Sequence, residues 1–214
     1  MASSSSSTVA ASSSPPAKYQ VFLNFRGDIR SNFLSHLLAA LKGQGIHTYI
    51  DNEKLECGDT IGPALMTAIE ESEVAVTIFS ENYADSAWCL KELVHIIKCK
   101  NEGTPKIVPV FYKVDPHELK HQEKKYGADL AQHDLKHTNN KVQIWGISHS
   151  LKWLFAKQEL EDKQELENKA KENKAKVESW REALRAAGNI SGLNSEDKAY
   201  RYFFLLFLQI SSVL

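Results

Sequence analysis

Cysteine is scarce in this chain of 214 residues, which carries three, Cys57, Cys89 and Cys99. An odd count without a secretory leader excludes a disulfide framework and points to a reducing compartment. The sequon Asn189-Ile190-Ser191 is expected to stay unmodified there. Charge of either sign is not in excess. Lys and Arg number 26 and Asp and Glu 27, giving a formal net charge of −1. That balance excludes the strongly basic class of nucleic-acid binders. Long hydrophobic runs are also lacking. The strongest, Tyr202-Phe203-Phe204-Leu205-Leu206-Phe207-Leu208, falls short of the roughly 20 residues that span a bilayer. It reads as a packed final helix, and no membrane span is expected. Residues 1–17 are mostly Ser and Ala, then Pro15-Pro16, with no apolar block long enough for a secretory signal. Such a segment buries too little to fold and reads as a disordered tail. A plastid transit peptide is the alternative, weakened by the absence of arginine. The expected location is the cytoplasm, with the nucleus open to it.

What is present is an alternation of apolar runs and helical patterns. Four runs read as strands: Tyr19 to Leu23, His47 to Ile50, Val74 to Phe79 and Ile107 to Tyr112. Between them the periodicity predicts helices over Asn32 to Lys42, Pro63 to Ser72 and Ala87 to Lys100. Gly43 and Gly45 stop the first helix, and Gly103 with Pro105 stops the third. Near-continuous apolar strands alternating with helices imply an α/β fold with a parallel sheet covered on both faces. Ligand groups in such folds gather at the carboxyl ends of strands. That places Asn24 to Arg30, Asp51 to Thr60 and Ser80 to Glu92 on one rim. In the third helix Leu90, Leu93, Val94 and Ile97 form an apolar stripe. Trp88 and Glu92, four residues apart, fall roughly opposite that stripe and are expected to face a ligand together.

Beyond residue 120 the pattern changes. Glu123 to Lys136 reads as helix. The segment from about 142 to 176 is low-complexity and charged, with Glu159–Lys163, Glu165–Lys169, Glu167–Lys171 and Glu172–Lys176 in the favourable i,i+4 order. Lacking an apolar stripe, it is expected to be a solvated helical spacer. His117-Glu118-Leu119-Lys120-His121 fits H-E-x-x-H, the zinc-protease pattern. The preceding Asp115-Pro116 suits a loop or helix start, and no third ligand follows at the expected spacing. No metal site is therefore expected. No Ser/His/Asp arrangement is recognisable, and Cys89, in an acidic setting, does not read as an activated thiol.

An ordered set of segments resembles the plant Toll/interleukin-receptor (TIR) domain. It runs from Val21-Phe22-Leu23-Asn24-Phe25-Arg26-Gly27 and Ser35-His36-Leu37 through Leu55-Glu56-Cys57-Gly58-Asp59-Thr60-Ile61 and Ala68-Ile69-Glu70-Glu71-Ser72. It continues with Phe79-Ser80-Glu81-Asn82-Tyr83-Ala84, Trp88-Cys89-Leu90-Lys91-Glu92-Leu93, Pro109-Val110-Phe111-Tyr112-Lys113-Val114-Asp115-Pro116 and Trp180-Arg181-Glu182-Ala183-Leu184. The resemblance implies a flavodoxin-like TIR domain over 18–193, with the charged insertion at about 142–176 and an apolar extension over 194–214. Receptors of this family continue into a nucleotide-binding module and leucine-rich repeats. No Gly-Lys-Ser/Thr phosphate loop or leucine-repeat period is found here, so a TIR-only or truncated protein is expected.

Function follows from the same resemblance, again as expectation. Catalytic plant members cleave NAD+, releasing nicotinamide and ADP-ribose or a cyclic isomer as an immune signal. NAD+ is the substrate, and no cofactor is implied. Glu92 takes the catalytic position. Phe25, Arg26, Gly27, Asp28, Ile29 and Arg30, with Gly58 and Trp88, take the substrate-binding positions. Gly27 lets backbone approach a ligand, Arg26 or Arg30 can meet a pyrophosphate, and Trp88 can stack on a base. Ser35, His36 and Gly127 take self-association positions, so the chain itself and other TIR proteins are the expected partners. There are departures from the family. The usual Gly-Glu-Asp-Thr-Arg is one residue shorter, Gly27-Asp28-Ile29-Arg30, a common Ser is Asn24, and Cys57 stands where Arg is common. The NAD+ hydrolase or cyclase is the leading expectation; the shortened Gly27 loop and the insertion near the later helices lend some weight to the alternative, a non-catalytic TIR adaptor or decoy.

Overall fold

The computed structural model describes residues 18–51, 62–135 and 152–194, together with 206, 208, 210 and 212. Cys57, Gly58 and the rest of 52–61 lie outside the described residues, as do 1–17, 136–151 and the remaining positions after 194. Five strands form one parallel sheet: β1 (Tyr19–Phe25), β2 (Thr48–Ile50), β3 (Ser72–Phe79), β4 (Lys106–Phe111) and β5 (Leu193–Asn194). Their order is β2-β1-β3-β4-β5. The helices are α1 (Ser35–Gly43), α2 (Pro63–Glu70), α3 (Ala87–Glu102), α4 (Pro116–His121), α5 (Lys124–Leu135) and α6 (Lys152–Gly188). The four strands and three helices read from the sequence are present, with ends shifted by a few residues. β5 is an addition. Two residues cannot show a periodicity, and pairing of Val110 with Leu193 and Phe111 with Asn194 alone defines it.

The strands are apolar on both faces because both faces are covered. Val74, Val76 and Ile78 of β3 join Val21 and Leu23 of β1 in a cluster with Phe33, Leu37 and Leu41. The alternate residues, Ala75 and Phe79, point to the side covered by α2, α3 and α6. This is the two-residue period of a strand read out on two cores at once. Leu206, from the final apolar run, and Ile210, just beyond it, are buried in the first cluster, while Leu208 is exposed.

α6 is a single helix of 37 residues. Its described residues 164–172 are exposed or half-buried, with a Glu165–Lys169 pair at 2.5 Å. From Asn173 onward one face is buried. The Asn173 amide donates to the His133 carbonyl at 3.3 Å, and Val177, Trp180, Ala183, Leu184 and Ala187 enter the core. The solvated character read for the whole spacer therefore stops before Asn173, because the next turns pack against α5.

Gly127 sits where α4 turns into α5. A Cβ there would fall well inside contact distance of the Gln122 carbonyl oxygen, and Gln122 is itself in the left-handed conformation, φ 55°. The corner is thus closed by backbone on backbone. Gly127→Ala is expected to cost about 1–3 kcal/mol by overpacking, read as a lower thermal midpoint. An unchanged midpoint would show that the corner relaxes freely.

Candidate functional site

The sheet order reverses between β1 and β3, and the crevice beyond their carboxyl ends is the ligand-binding position of such folds. Three segments meet there. The first leaves β1 after Phe25 through a 3-10 turn at Gly27–Ile29 and a π-helical turn at Arg30–Leu34. The second is Asp51, immediately after β2. The third runs from Ser80, after β3, into α3. Ser86 caps α3 by accepting the Cys89 N–H at 3.3 Å, which satisfies one donor of the first turn.

Glu92 lies in the second turn of α3 and is 3% exposed. Sequence periodicity placed it opposite the apolar stripe, on an open face. The buried face of α3 is instead centred to one side of that stripe and holds Cys89, Leu90, Glu92, Leu93, Ile96 and Cys99. At about 100° per residue Glu92 falls between Ile96 and Cys99. The stripe was displaced because it was built from Val94 and Ile97, which are only half-buried against α6.

The surroundings of Glu92 are unusual for a carboxyl group. Burial first, and the Asp51 carboxylate second, hold its pKa well above the ordinary glutamate range. The Trp88 indole N–H works in the opposite sense as a donor. That same N–H donates to Asp51 Oδ2 at 2.9 Å. Arg30 donates to the Asp51 carbonyl at 3.3 Å and lies over the Phe25 ring at 5.4 Å. Phe25, Arg30, Asp51, Trp88 and Glu92 therefore form one constellation. Asp51 was legible only as part of a loop; its partnership with Trp88 across 37 positions depends on strand pairing.

Below them is a buried polar seam. Tyr83 Oη donates within reach of both Asn24 Oδ1 and the Cys89 carbonyl, each at 3.1 Å. Asn24 is fully buried and its amide faces the same carbonyl at 3.4 Å. The Cys89 thiol donates to the Phe25 carbonyl at 3.3 Å. Burial, then Glu92, pushes its pKa up to about 12, which makes it inert as a nucleophile.

The other residues of the β1 loop are held by protein partners. Arg26 pairs with Asp85 at 3.3 Å. Asp28 accepts from Asn82 at 2.9 Å and from Ser80 Oγ at 3.3 Å, stitching this loop to the one after β3. Ile29 is buried in the core, so only its backbone is available to a ligand. A Cβ on Gly27 would meet no atom within 4 Å; nothing in the fold itself requires glycine there.

Comparison with known proteins fits this geometry. Residues 18–166 match the sequence model of the TIR domain. The chain belongs to the TIR domain family. It is 44% identical over 133 residues to the TMV resistance protein N of Nicotiana glutinosa, covering 61% of this chain and 12% of that protein. It is 37% identical over 183 residues to the disease resistance protein RPV1 of Vitis rotundifolia, covering 85% and 10% respectively. The chain thus spans about a tenth of the length of these relatives. Among solved structures, the TIR domains of the activated Roq1 resistosome, which directly recognises the pathogen effector XopQ, superpose with a TM-score of 0.63. They share 34% identity, over 90% of this chain and 99% of that one.

In this TIR domain Ser35 and His36 are exposed at the start of α1, Ser35 Oγ donating to the Ser31 carbonyl at 3.2 Å. Gly127 is half-buried, and its glycine is explained by the α4–α5 corner. His117 and His121 share one face of α4, with ring centroids 4.2 Å apart. Glu118 is taken by Lys124, and His117 Nδ1 faces Glu123 at 3.7 Å, so the acid of the H-E-x-x-H match is engaged by a lysine. A groove of about 390 Å³, lined by Met66, Lys91, His95, Lys98, Lys176 and Trp180 among others, lies between α2, α3 and α6 and does not include Glu92. Among the described residues no helix is long and apolar enough to cross a membrane.

Proposed function

We propose that this chain is a TIR-type NAD+ glycohydrolase or ADP-ribosyl cyclase that signals in plant innate immunity and acts on self-association. The observation that carries this is the buried Glu92 beside Asp51 and Trp88 at the switch point of the sheet. Breaking the bond between ribose C1′ and the nicotinamide nitrogen expels neutral nicotinamide and leaves an oxocarbenium-like ribose. The leaving group is already cationic, so no general acid is required. The work is electrostatic: a carboxylate placed where positive charge develops, in a water-poor setting. Water attack on C1′ gives ADP-ribose and a proton; attack by a group of the same molecule gives a cyclic product and a proton. Trp88 offers a ring face and Arg30 a cation for the pyrophosphate. The plant resistance proteins among the relatives support the immune setting, the resistosome structure supports self-association, and cysteine usage supports a cytoplasmic location.

The test is nicotinamide release from NAD+ by concentrated protein, beside Glu92→Ala. Loss in the variant supports the enzyme; equal, negligible turnover in both refutes it. The pH profile has a defined sign. Glu92 must be ionised to stabilise the cation, and its pKa is raised, so kcat/KM is expected to climb with pH through a midpoint above the ordinary carboxylate range. A profile flat from pH 4 upward would contradict that role.

A second reading, a non-catalytic TIR adaptor, is favoured by one observation. Arg26 and Asp28 are already satisfied by Asp85, Ser80 and Asn82, and Glu92 is covered within the single chain. TIR–TIR binding retained without turnover is its signature.

A further inference from the structure

Toward the C-terminal end of α3, three side chains of different chemistry converge. His95 and Cys99 are one helical turn apart on α3, and Glu70 ends α2. His95 Nε2 lies 3.1 Å from Glu70 Oε1 and 3.5 Å from Cys99 Sγ. All three ligand atoms lie within 4.8 Å of one another, the one such His/Cys/acid group among the described residues.

We propose that Glu70, His95 and Cys99 form a site for a zinc-class divalent cation. Zinc bonds sulfur at about 2.3 Å and nitrogen or oxygen at about 2.0–2.2 Å in tetrahedral sites. The edges of such a tetrahedron are roughly 3.4–3.6 Å. The S–N edge here matches, and the N–O edge is within a few tenths of an ångström. One ring nitrogen, His95 Nε2, faces both a carboxylate and a thiol. A cation is bound by all three at once. Thiolate and imidazole select zinc over magnesium or calcium. Three protein ligands leave a fourth position, and His95 also lines the groove between α2, α3 and α6, which gives water or a small ligand access. The site is remote in role from Glu92 and stands whether or not NAD+ is cleaved.

The test is titration of the tag-free, reduced full chain with cobalt(II), which takes tetrahedral zinc sites and reports a thiolate ligand by its charge-transfer band. One equivalent is expected to give tetrahedral d–d bands with that band, both removed by zinc. Glu70 is exposed, so Glu70→Gln folds, and it is expected to weaken binding by roughly 10–100-fold or more. Cys99→Ser is expected to abolish the charge-transfer band while Cys89→Ser keeps it. Absence of the band, its persistence in Cys99→Ser, or unchanged affinity in Glu70→Gln would overturn the proposal.

Discussion

Glu92→Gln is expected to lower nicotinamide release by roughly 10²–10³-fold while leaving the protein as stable or more stable. Glutamine keeps the size and polarity of the side chain and removes the charge on which the proposed chemistry depends. The stability half follows from linkage. The folded pKa of Glu92 is raised by burial and by Asp51, so the folded state binds this proton more tightly than the unfolded chain does. The stability Glu92 contributes is fully present below the unfolded pKa and is lost as pH rises through the folded one. The slope is at most about 1.4 kcal/mol per pH unit, the value for one proton. Glutamine cannot ionise and escapes that loss, so the stability gap should open with pH above the ordinary carboxylate range. Thermal melts of both proteins between pH 5 and 8 check this. A glutamine variant that is less stable at pH 8, with turnover intact, would remove Glu92 from the site altogether.

Trp180→Ala is expected to cost about 3–5 kcal/mol. Trp180 is 3% exposed and packs in the cluster of Leu90, Leu93 and Leu184. The His133 ring meets it edge-on at 5.1 Å, and the Lys176 ammonium lies over it at 5.3 Å. Among the described residues, α3 and α5 pack against this face of α6 and are held by their own core contacts, so the void is expected to persist. With domain stabilities of roughly 5–15 kcal/mol, such a loss leaves a marginal protein. At about 2–4 °C per kcal/mol for a chain of this size, the midpoint should fall by roughly 6–20 °C. A shift of a degree or two would mean that α6 contributes little to the fold.

Much of the sheet was legible because β1, β3 and β4 are buried on both faces and therefore nearly uniform in composition. The third helix was legible in extent but not in orientation. Its buried face is continuous from Cys89 to Cys99 and includes a charged residue, and a glutamate inside a core face contradicts the rule by which faces are read. The resemblance named Glu92; only the structure shows it enclosed, with Asp51 and Trp88 as its neighbours. The Glu70, His95 and Cys99 group illustrates the same boundary. The His95–Cys99 spacing is visible on the helix, but Glu70 is 25 positions away, and its approach depends on how α2 lies against α3. Nor could the sequence show where α6 leaves solvent, since Asn173 differs in no obvious way from the asparagine of the preceding repeat.

The two outermost strands have a consequence for assembly. β2 is three residues long and β5 two, so among the described residues the outermost strands are too short to offer a long ladder of backbone. Short margins are how natural proteins suppress edge-to-edge recruitment of further strands. Copies of this domain thus have little to gain from extending the sheet between molecules. An ordered filament or ring is then expected to use helical and loop surfaces, whose side chains can discriminate between partners where bare backbone cannot.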